Sequence, residues 1–584
     1  MHIDVNSFFE PKFKFTRKKV MIFISILILI VAIALPSLKT HISSLFITRI
    51  TAIIFIYSGA LSLNALYIQS IGSGIGIYSG LFHVTIISQA LDCFLLILGS
   101  LILISWPLIT SSYDNKIIFF RNLFTAGSLL FNKNNIIGLY TPKTEYCLII
   151  LFSSLGSSLL ISSSDLLAMY LSIELQSFGL YILATLYRDY ESATAAGLKY
   201  FLLGALSSCF ILLGAGLIYT FTGLTNFESI YSLISSSLSA TTNFNLGSQT
   251  IISGVNLGII FIFIGFLFKI AAAPLHSWSI DVYDETPTQV TIWLTIIPKI
   301  SILVLLLELQ SGFSINSIID LSYVLDGAIN LTNFLNVNYV LKLLLLISSL
   351  FSLIIGTIVG LAQTRIKRLL AYSTISHLGF ILLALAINTE QSIDSFIFYI
   401  IQYSITNLNI FLIIIALGFI LYKDGLKLYS NSNNIIFFDF DIKYLSSLKG
   451  QLFSNPILSF SLMVSLFSMA GIPPLLGFFS KQFVLLSAVE SGYWFMAFVA
   501  ILTSVISASY YLRIVILLVS EYPEEYKDSN NINDSNFFLH EEMILTNFHS
   551  FLISTITLSI LLFILKPSLL LNSTQLLALS LFFY

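Results

Sequence analysis

A small set of ionisable residues stands inside long apolar runs of this chain, and their types are those that exchange protons. Glu174 lies in "LSIELQSFGLYIL", Lys199 in "AGLKYFLLGALSS" and Lys269 in "GFLFKIAAAPLHSW". Lys299 lies in "IIPKISILVLLLE", Lys481 in "GIPPLLGFFSKQF", His377 in "STISHLGF" and Asp92 in "SQALDCFLLIL". A charge at mid-bilayer costs about 2.5–3.5 kcal/mol even on the lenient insertion scale, so such residues are functional candidates by default. Desolvation disfavours the charged form of a buried lysine, and a carboxylate neighbour favours it. A chain of such groups can take up and release protons near neutral pH. The plainer reading is a set of structural ion pairs, with Lys199, near a span end, snorkelling to the interface.

Lys269 and Lys481 lie near prolines that read as helix breaks. Pro274 follows Lys269, and Pro473 and Pro474 precede Lys481. Proline removes a backbone donor and frees a carbonyl. Transporters use broken helices in this way, at related positions of two inverted repeats. A break beside each lysine is expected to make a polar, hydrated pocket in which its proton can exchange.

The elements that position these residues must be membrane helices. The chain has 584 residues, is 57% hydrophobic and only 10% charged, and has a mean hydropathy of +0.94. A soluble domain carries about 25% charged residues. The net charge of −2 gives no support to a nucleic-acid partner. Cys93, Cys147 and Cys209 lie in apolar runs without CxxC spacing, and read as small packing residues rather than cluster or zinc ligands.

A span needs about 20 apolar residues, and roughly fourteen segments qualify, the first near 20–38 and the last near 546–565. Only helices or closed barrels satisfy the backbone in lipid, and runs this long exclude barrel strands. The fold class is therefore all-α and polytopic. Residues 1–19 form a polar N-terminal extension and 20–110 hold the first three spans. Spans four to eight (145–310) and nine to thirteen (338–520) make two sets of five, each with a Lys-plus-Pro span fourth. Residues 521–584 hold an acidic loop and the last span. Loops after odd-numbered spans carry Arg49, Lys116, Arg365, Lys367, Arg368 and Lys443, among others, whereas those after even-numbered spans are nearly free of Lys and Arg. By the positive-inside rule, both termini then lie outside. The N-terminal run Lys12, Lys14, Arg17, Lys18 and Lys19 conflicts with that orientation.

Other motifs carry less. "GSGIGIYSG" at 72–80 does not complete GxGxxG and no strand precedes it. "GTIVG" at 356–360 fits close helix packing. "HSWSIDVYDE", with His276, Asp281, Asp284 and Glu285, reads as loop anchoring rather than as a metal site.

Five stretches carry a resemblance: "IELQSFGLYILATLYR", "GLKYFLLGALSSCFILLGAGLIYTFTG", "FKIAAAPLHSWSIDVYDETPTQVT", "TRIKRLLAYSTISHLGF" and "MAGIPPLLGFFSKQFVL". Together they resemble the subunit 2 group of respiratory complex I (NADH:ubiquinone oxidoreductase), which includes the bacterial N subunit. The resemblance runs from about residue 145 to 520. It implies two inverted five-helix repeats, broken seventh and twelfth helices, and a proton-translocating role in the mitochondrial inner membrane. Residue by residue, it implies a proton relay of Glu174, Lys199, Lys269, Lys299 and Lys481, with His377 as a candidate bridge from Lys299 to Lys481. Glu174 and Lys199 are expected to interact, Glu174 biasing Lys269 as it approaches or leaves Lys199. The chain itself is expected to bind no cofactor: NADH, FMN, iron–sulfur clusters and ubiquinone belong to other subunits. Neighbouring antiporter-like subunit 4 and the small subunit 4L are the implied partners. Two rivals stand beside this reading, a subunit of a multisubunit cation/proton antiporter and a structural coupling subunit of complex I that releases no protons.

Overall fold

A computed structural model of the chain describes residues 5–35, 44–66, 74–105, 144–188, 190–239, 246–318, 337–429, 441–520 and 547–582. The acidic loop expected at 521–543 and the basic loop positions Lys39, Lys116, Arg121 and Lys133 lie outside these residues. The architecture is a bundle of helices. The first part holds α1 (Val5–Ala34), α2 (Ser44–Leu66), a hairpin of β1 (Ile75–Ile77) and β2 (Phe82–Val84), and α3 (Ile86–Ile104). The glycine-rich stretch thus builds a short antiparallel hairpin. Next come α4 (Thr144–Ile161), α5 (Leu166–Thr185), α6 (Glu191–Thr222), α7 (Phe227–Ser239), α8 (Leu246–Ile270), α9 (Ser277–Glu285) and α10 (Thr288–Ile318). The second half holds α11 (Val337–Leu361), α12 (Ile366–Ile387), α13 (Glu390–Tyr429), α14 (Pro456–Ala470), α15 (Leu476–Glu490) and α16 (Trp494–Val519). Two further helices, α17 (Asn547–Leu561) and α18 (Ser568–Phe582), close the chain.

Among the described residues, 12 helices are long and apolar enough to cross a membrane. The two other expected spans fall on α1, which carries Arg17, Lys18 and Lys19, and on the pair α14–α15, whose halves are 15 residues each. The short apolar helix α18 after the last expected span was not read from the sequence.

Both expected breaks are present. The helix α8 ends at Ile270, Ala271 takes a left-handed φ of 63°, and the chain restarts as α9. The helix α14 ends on Gly471 at φ 86°, whose N–H donates to the Phe467 carbonyl, and the chain restarts as α15. Glycine adopts that conformation without the Cβ clash other residues meet, which makes it a common helix terminator. At Gly477 a Cβ would overlap the Ser468 carbonyl, so only glycine lets the two halves pass this closely.

The two halves correspond at one constant sequence offset. Ala271 and Gly471 are the left-handed residues, and Pro274 and Pro474 each follow a cis peptide bond. Gly156 packs on the backbone of Gln176 as Gly356 packs on that of Ser376. Asp165 and Arg365 occupy the N-cap positions of α5 and α12.

Two residues of the basic N-terminal run have partners inside the bundle. Lys18 is buried and pairs with Asp92 of α3, while its Nζ also donates to Gln89 at 2.7 Å. Lys19 bonds the Ser162 hydroxyl and lies over the Phe82 ring. A lysine neutralised by a buried aspartate does not act as a free loop charge. Lys18 and Lys19 therefore do not count as loop charges, whereas Lys12, Lys14 and Arg17 of the same run still oppose the positive-inside pattern.

Candidate functional site

Lys269 sits in the last turn of α8, and its Nζ lies 3.5 Å from Oε1 of Glu174 on α5. Both side chains are largely buried, and among the described residues neither atom has a hydrogen-bond partner. The contact is thus an ion pair with room left for other polar partners. Beside it lies a mostly apolar cavity of about 20 Å³, walled by Ile173, Leu180, Phe268 and Ile302, into which Lys269, Gln176 and Ser177 bring polar groups. One water needs about 10–15 Å³, so the cavity has room for one beside the Lys269–Glu174 pair. The break supports this site directly. Ending α8 leaves carbonyls without helical partners, and the Trp278 indole of α9 donates to the Phe268 carbonyl at 2.9 Å. Trp278 in turn stacks on Tyr200 of α6, with centroids 4.7 Å apart.

The expected Glu174–Lys199 contact is not the one formed. Lys199 is half-exposed and pairs with Asp281 of α9 at 3.2 Å. The reason is geometric. Lys199 lies in the early turns of α6, beside α9, whereas Glu174 lies mid-helix in α5 opposite the end of α8. Glu174→Gln removes the anion beside Lys269 and keeps its shape. An opposite charge at 4 Å is worth about 4 kcal/mol at an effective dielectric of 20. We expect assembled enzyme with this substitution to lose activity without losing assembly. Normal quinone reduction and normal pumping by this variant would reduce Glu174 to packing.

Lys299 follows Pro298 inside α10 and is 3% exposed. Its Nζ donates to the Thr374 hydroxyl of α12 at 3.1 Å and lies 5.4 Å from the Tyr283 ring centroid. This lysine therefore joins the first half of the chain to the second. Thr374 stands at the offset from Glu174, so a neutral acceptor replaces the carboxylate at the matching place. One turn on, His377 is buried with both ring nitrogens engaged, Nδ1 with the Tyr399 hydroxyl at 2.7 Å and Nε2 with that of Tyr511 at 3.1 Å.

Lys481 lies in α15 and is 7% exposed. Its Nζ donates at 2.9 Å to the carbonyl of Ala470, the last residue of α14, and sits 5.7 Å from the centroid of Phe380. The break at Pro473–Pro474 thus supplies a freed carbonyl, and Lys481 takes it.

The stretch "HSWSIDVYDE", expected as an anchoring loop, is the helix α9 instead, and of its carboxylates Asp281 and Asp284 make ion pairs. Arg368 reaches Asp281 at 3.6 Å and Asp284 at 2.8 Å, and Arg365 reaches Asp284 at 2.7 Å. Lys367 bonds the Thr286 carbonyl at 2.8 Å and Asp441 at 2.6 Å. These pairs tie the segment after the first break to the start of α12. Among the described residues, no group of three His, Cys, Asp or Glu is arranged to hold a metal ion.

The partners Thr374, Tyr399, Tyr511 and Gln176 were not legible from residue type, since hydroxyls and amides are common in this chain. The offset from Glu174 was the available signal for Thr374.

Comparison with known proteins agrees with this architecture. The family described as "NADH:quinone oxidoreductase/Mrp antiporter, TM" matches residues 163–326 and 322–507. NADH-ubiquinone oxidoreductase chain 2 of Rhizopus oryzae is 48% identical over 97% of this chain and 100% of its own length. NADH-quinone oxidoreductase subunit N of Pelagibacter ubique is 36% identical over 66% of this chain and 72% of its own. A chain of respiratory complex I from Thermus thermophilus superposes with a TM-score of 0.64 at 23% identity, covering 95% of this chain and 98% of that one. A chain of the Mrp complex from Dietzia superposes at 0.68 with 16% identity, covering 97% and 98%. These last two establish fold alone. Two broken helices with a lysine at each, a full-length relative at this identity and a matching family over most of the bundle lead to one assignment: the chain is a multi-pass membrane protein of the NADH:quinone oxidoreductase/Mrp antiporter family, in the branch of NADH-ubiquinone oxidoreductase chain 2.

Proposed function

We propose that this chain is a membrane-arm subunit of a proton-translocating NADH:ubiquinone reductase in the mitochondrial inner membrane, and that it conducts protons. The observation that carries this reading is the row of buried lysines at helix breaks and at the junction of the two halves. Lys269 faces Glu174 and a water-sized cavity, Lys299 reaches across to Thr374, and Lys481 holds a freed carbonyl. A proton arriving at Lys269 meets a group whose charge is set by Glu174. Displacement of that charge changes the field at Lys299, and through His377 the field at Lys481. The cavity supplies the water that a proton step at Lys269 requires.

Redox chemistry falls to other subunits: NADH, FMN, iron–sulfur clusters and ubiquinone are not assigned to this chain. Its expected neighbours are the antiporter-like subunit 4 and the small subunit 4L. Purification in mild detergent tests the assignment. Co-purification with those subunits and with NADH-dependent quinone reductase activity is the expected outcome. Co-purification with the components of a cation/proton antiporter instead would overturn it.

A further inference from the structure

Between Val290 and Ser311 every residue of α10 is buried except Glu308. Glu308 alone in this stretch is partly exposed, and its side chain ends in a carboxyl group. Glu308 lies nine residues beyond Lys299, roughly 13 Å further along the axis. Its Oε1 accepts from the Thr85 hydroxyl at 3.2 Å. Thr85 is the N-cap of α3 and follows the β1–β2 hairpin, so the contact lies on the face opposite the basic loops. Tyr231 of α7 packs over α10 one turn on, where Gly312 leaves space for its ring. Among the described residues Glu308 has no cation at ion-pair distance, and Thr85 is its hydrogen-bond donor. An ionised carboxylate held by one hydroxyl in an apolar wall is costly, and the group must keep a proton or reach water.

The same face of α10 carries Ser301, two turns earlier. Ser301 and Gln176 hydrogen-bond at 3.0 Å, and Gln176 lines the cavity beside Lys269. Between Ser301 and Glu308 the face is filled by Val304 and Leu305, both fully buried. One apolar layer therefore separates the cavity of the first half from this carboxyl. The wall around Thr85 is braced by α1, because Gln89, one turn on along α3, receives Lys18, which also pairs with Asp92.

We propose that Glu308 is a proton-exchanging site on the face opposite the basic loops, where a proton passes between water and the first half of the chain. The inference rests on the proton-conducting reading above and gives that half its own exchange point, separate from Lys481. A purely structural carboxyl would serve only as an acceptor for Thr85, a role that glutamine fills equally well.

The test uses the assembled enzyme in liposomes, with NADH oxidation and proton translocation recorded together for Glu308→Gln and Glu308→Asp. Glu308→Gln is expected to lower NADH oxidation and proton translocation together, with Glu308→Asp recovering part of the loss. Redox-difference infrared spectra of the wild type should contain a protonated-carboxyl band that Glu308→Gln lacks. Thr85→Val, which removes only the hydroxyl donor, should shift that band in an enzyme whose α10 is intact. Wild-type rates of both NADH oxidation and proton translocation in assembled Glu308→Gln overturn the proposal. So does a carboxyl region unchanged by Thr85→Val, even where Glu308→Gln fails to assemble. Lys269→Ala run alongside separates the two ideas. If it is impaired while Glu308→Gln is normal, only the Glu308 site fails; if both are normal, the proton-conducting reading fails with it.

Discussion

Assembled enzyme carrying Lys269→Ala is expected to lose most of its quinone reduction and most of its proton pumping together. A positioned acid–base group contributes about 10²–10⁴-fold to a proton step. Lys269 is the only cation at ion-pair distance from Glu174 among the described residues, and it borders the water-sized cavity. Its removal leaves Glu174 buried without a cation, and breaking a buried pair from one side costs about 3–5 kcal/mol unless the group takes up a proton. A Glu174 that takes up that proton carries no charge to pass on to Lys299. A tightly coupled machine stalls at a blocked step, so turnover falls with pumping. The variant should still assemble, because Trp278 and the Asp281 and Asp284 anchors hold the break without Lys269.

The second large effect is expected at Lys481, as a graded series. Moving one charge against 100 mV costs about 2.3 kcal/mol, so a proton must be released from a site whose affinity can be switched. Lys481 meets that need: its Nζ is held by a single carbonyl, that of Ala470, and by the face of Phe380. Lys481→Ala should be strongly impaired. Lys481→Arg should be partly active, because arginine keeps the charge and the bond to Ala470 but does not give up its proton. His377→Ala should be mildly impaired, since both of its nitrogens are engaged by Tyr399 and Tyr511 and its loss leaves two buried hydroxyls short of a partner. Pumping by purified, assembled variants in liposomes reads the series. Full pumping by Lys481→Arg would make this residue a fixed charge that never releases its proton.

The architecture was legible in the sequence because lipid leaves few options: apolar runs of span length must be helices, and Pro274 and Pro473–Pro474 interrupt two of them, whereas Pro298 beside Lys299 is carried inside the continuous α10. The buried positions of Lys269, Lys299, Lys481 and His377 were legible for the same reason, since an ionisable residue deep in an apolar run must be inside the bundle. Pairing was not. Glu174 and Lys199 lie on successive helices, which made them natural partners, but α9 folds back and offers Asp281 to Lys199 instead. Which carboxylate a lysine meets depends on where the chain goes after a break, and local sequence does not encode that. Lys18 illustrates the same gap: its charge looked like a loop charge until Asp92 appeared beside it. Glu308 was passed over because it ends the apolar run that holds Lys299, and only packing reveals that its neighbours are all buried.

The most direct measurement is the simultaneous recording of NADH oxidation and proton translocation by purified, fully assembled Lys269→Ala enzyme in sealed liposomes, against the wild type. A proton-conducting chain predicts that both rates fall together. Assembled Lys269→Ala enzyme that oxidises NADH and pumps protons at the wild-type rate would contradict it, and would leave this chain a structural spacer with its protons carried elsewhere.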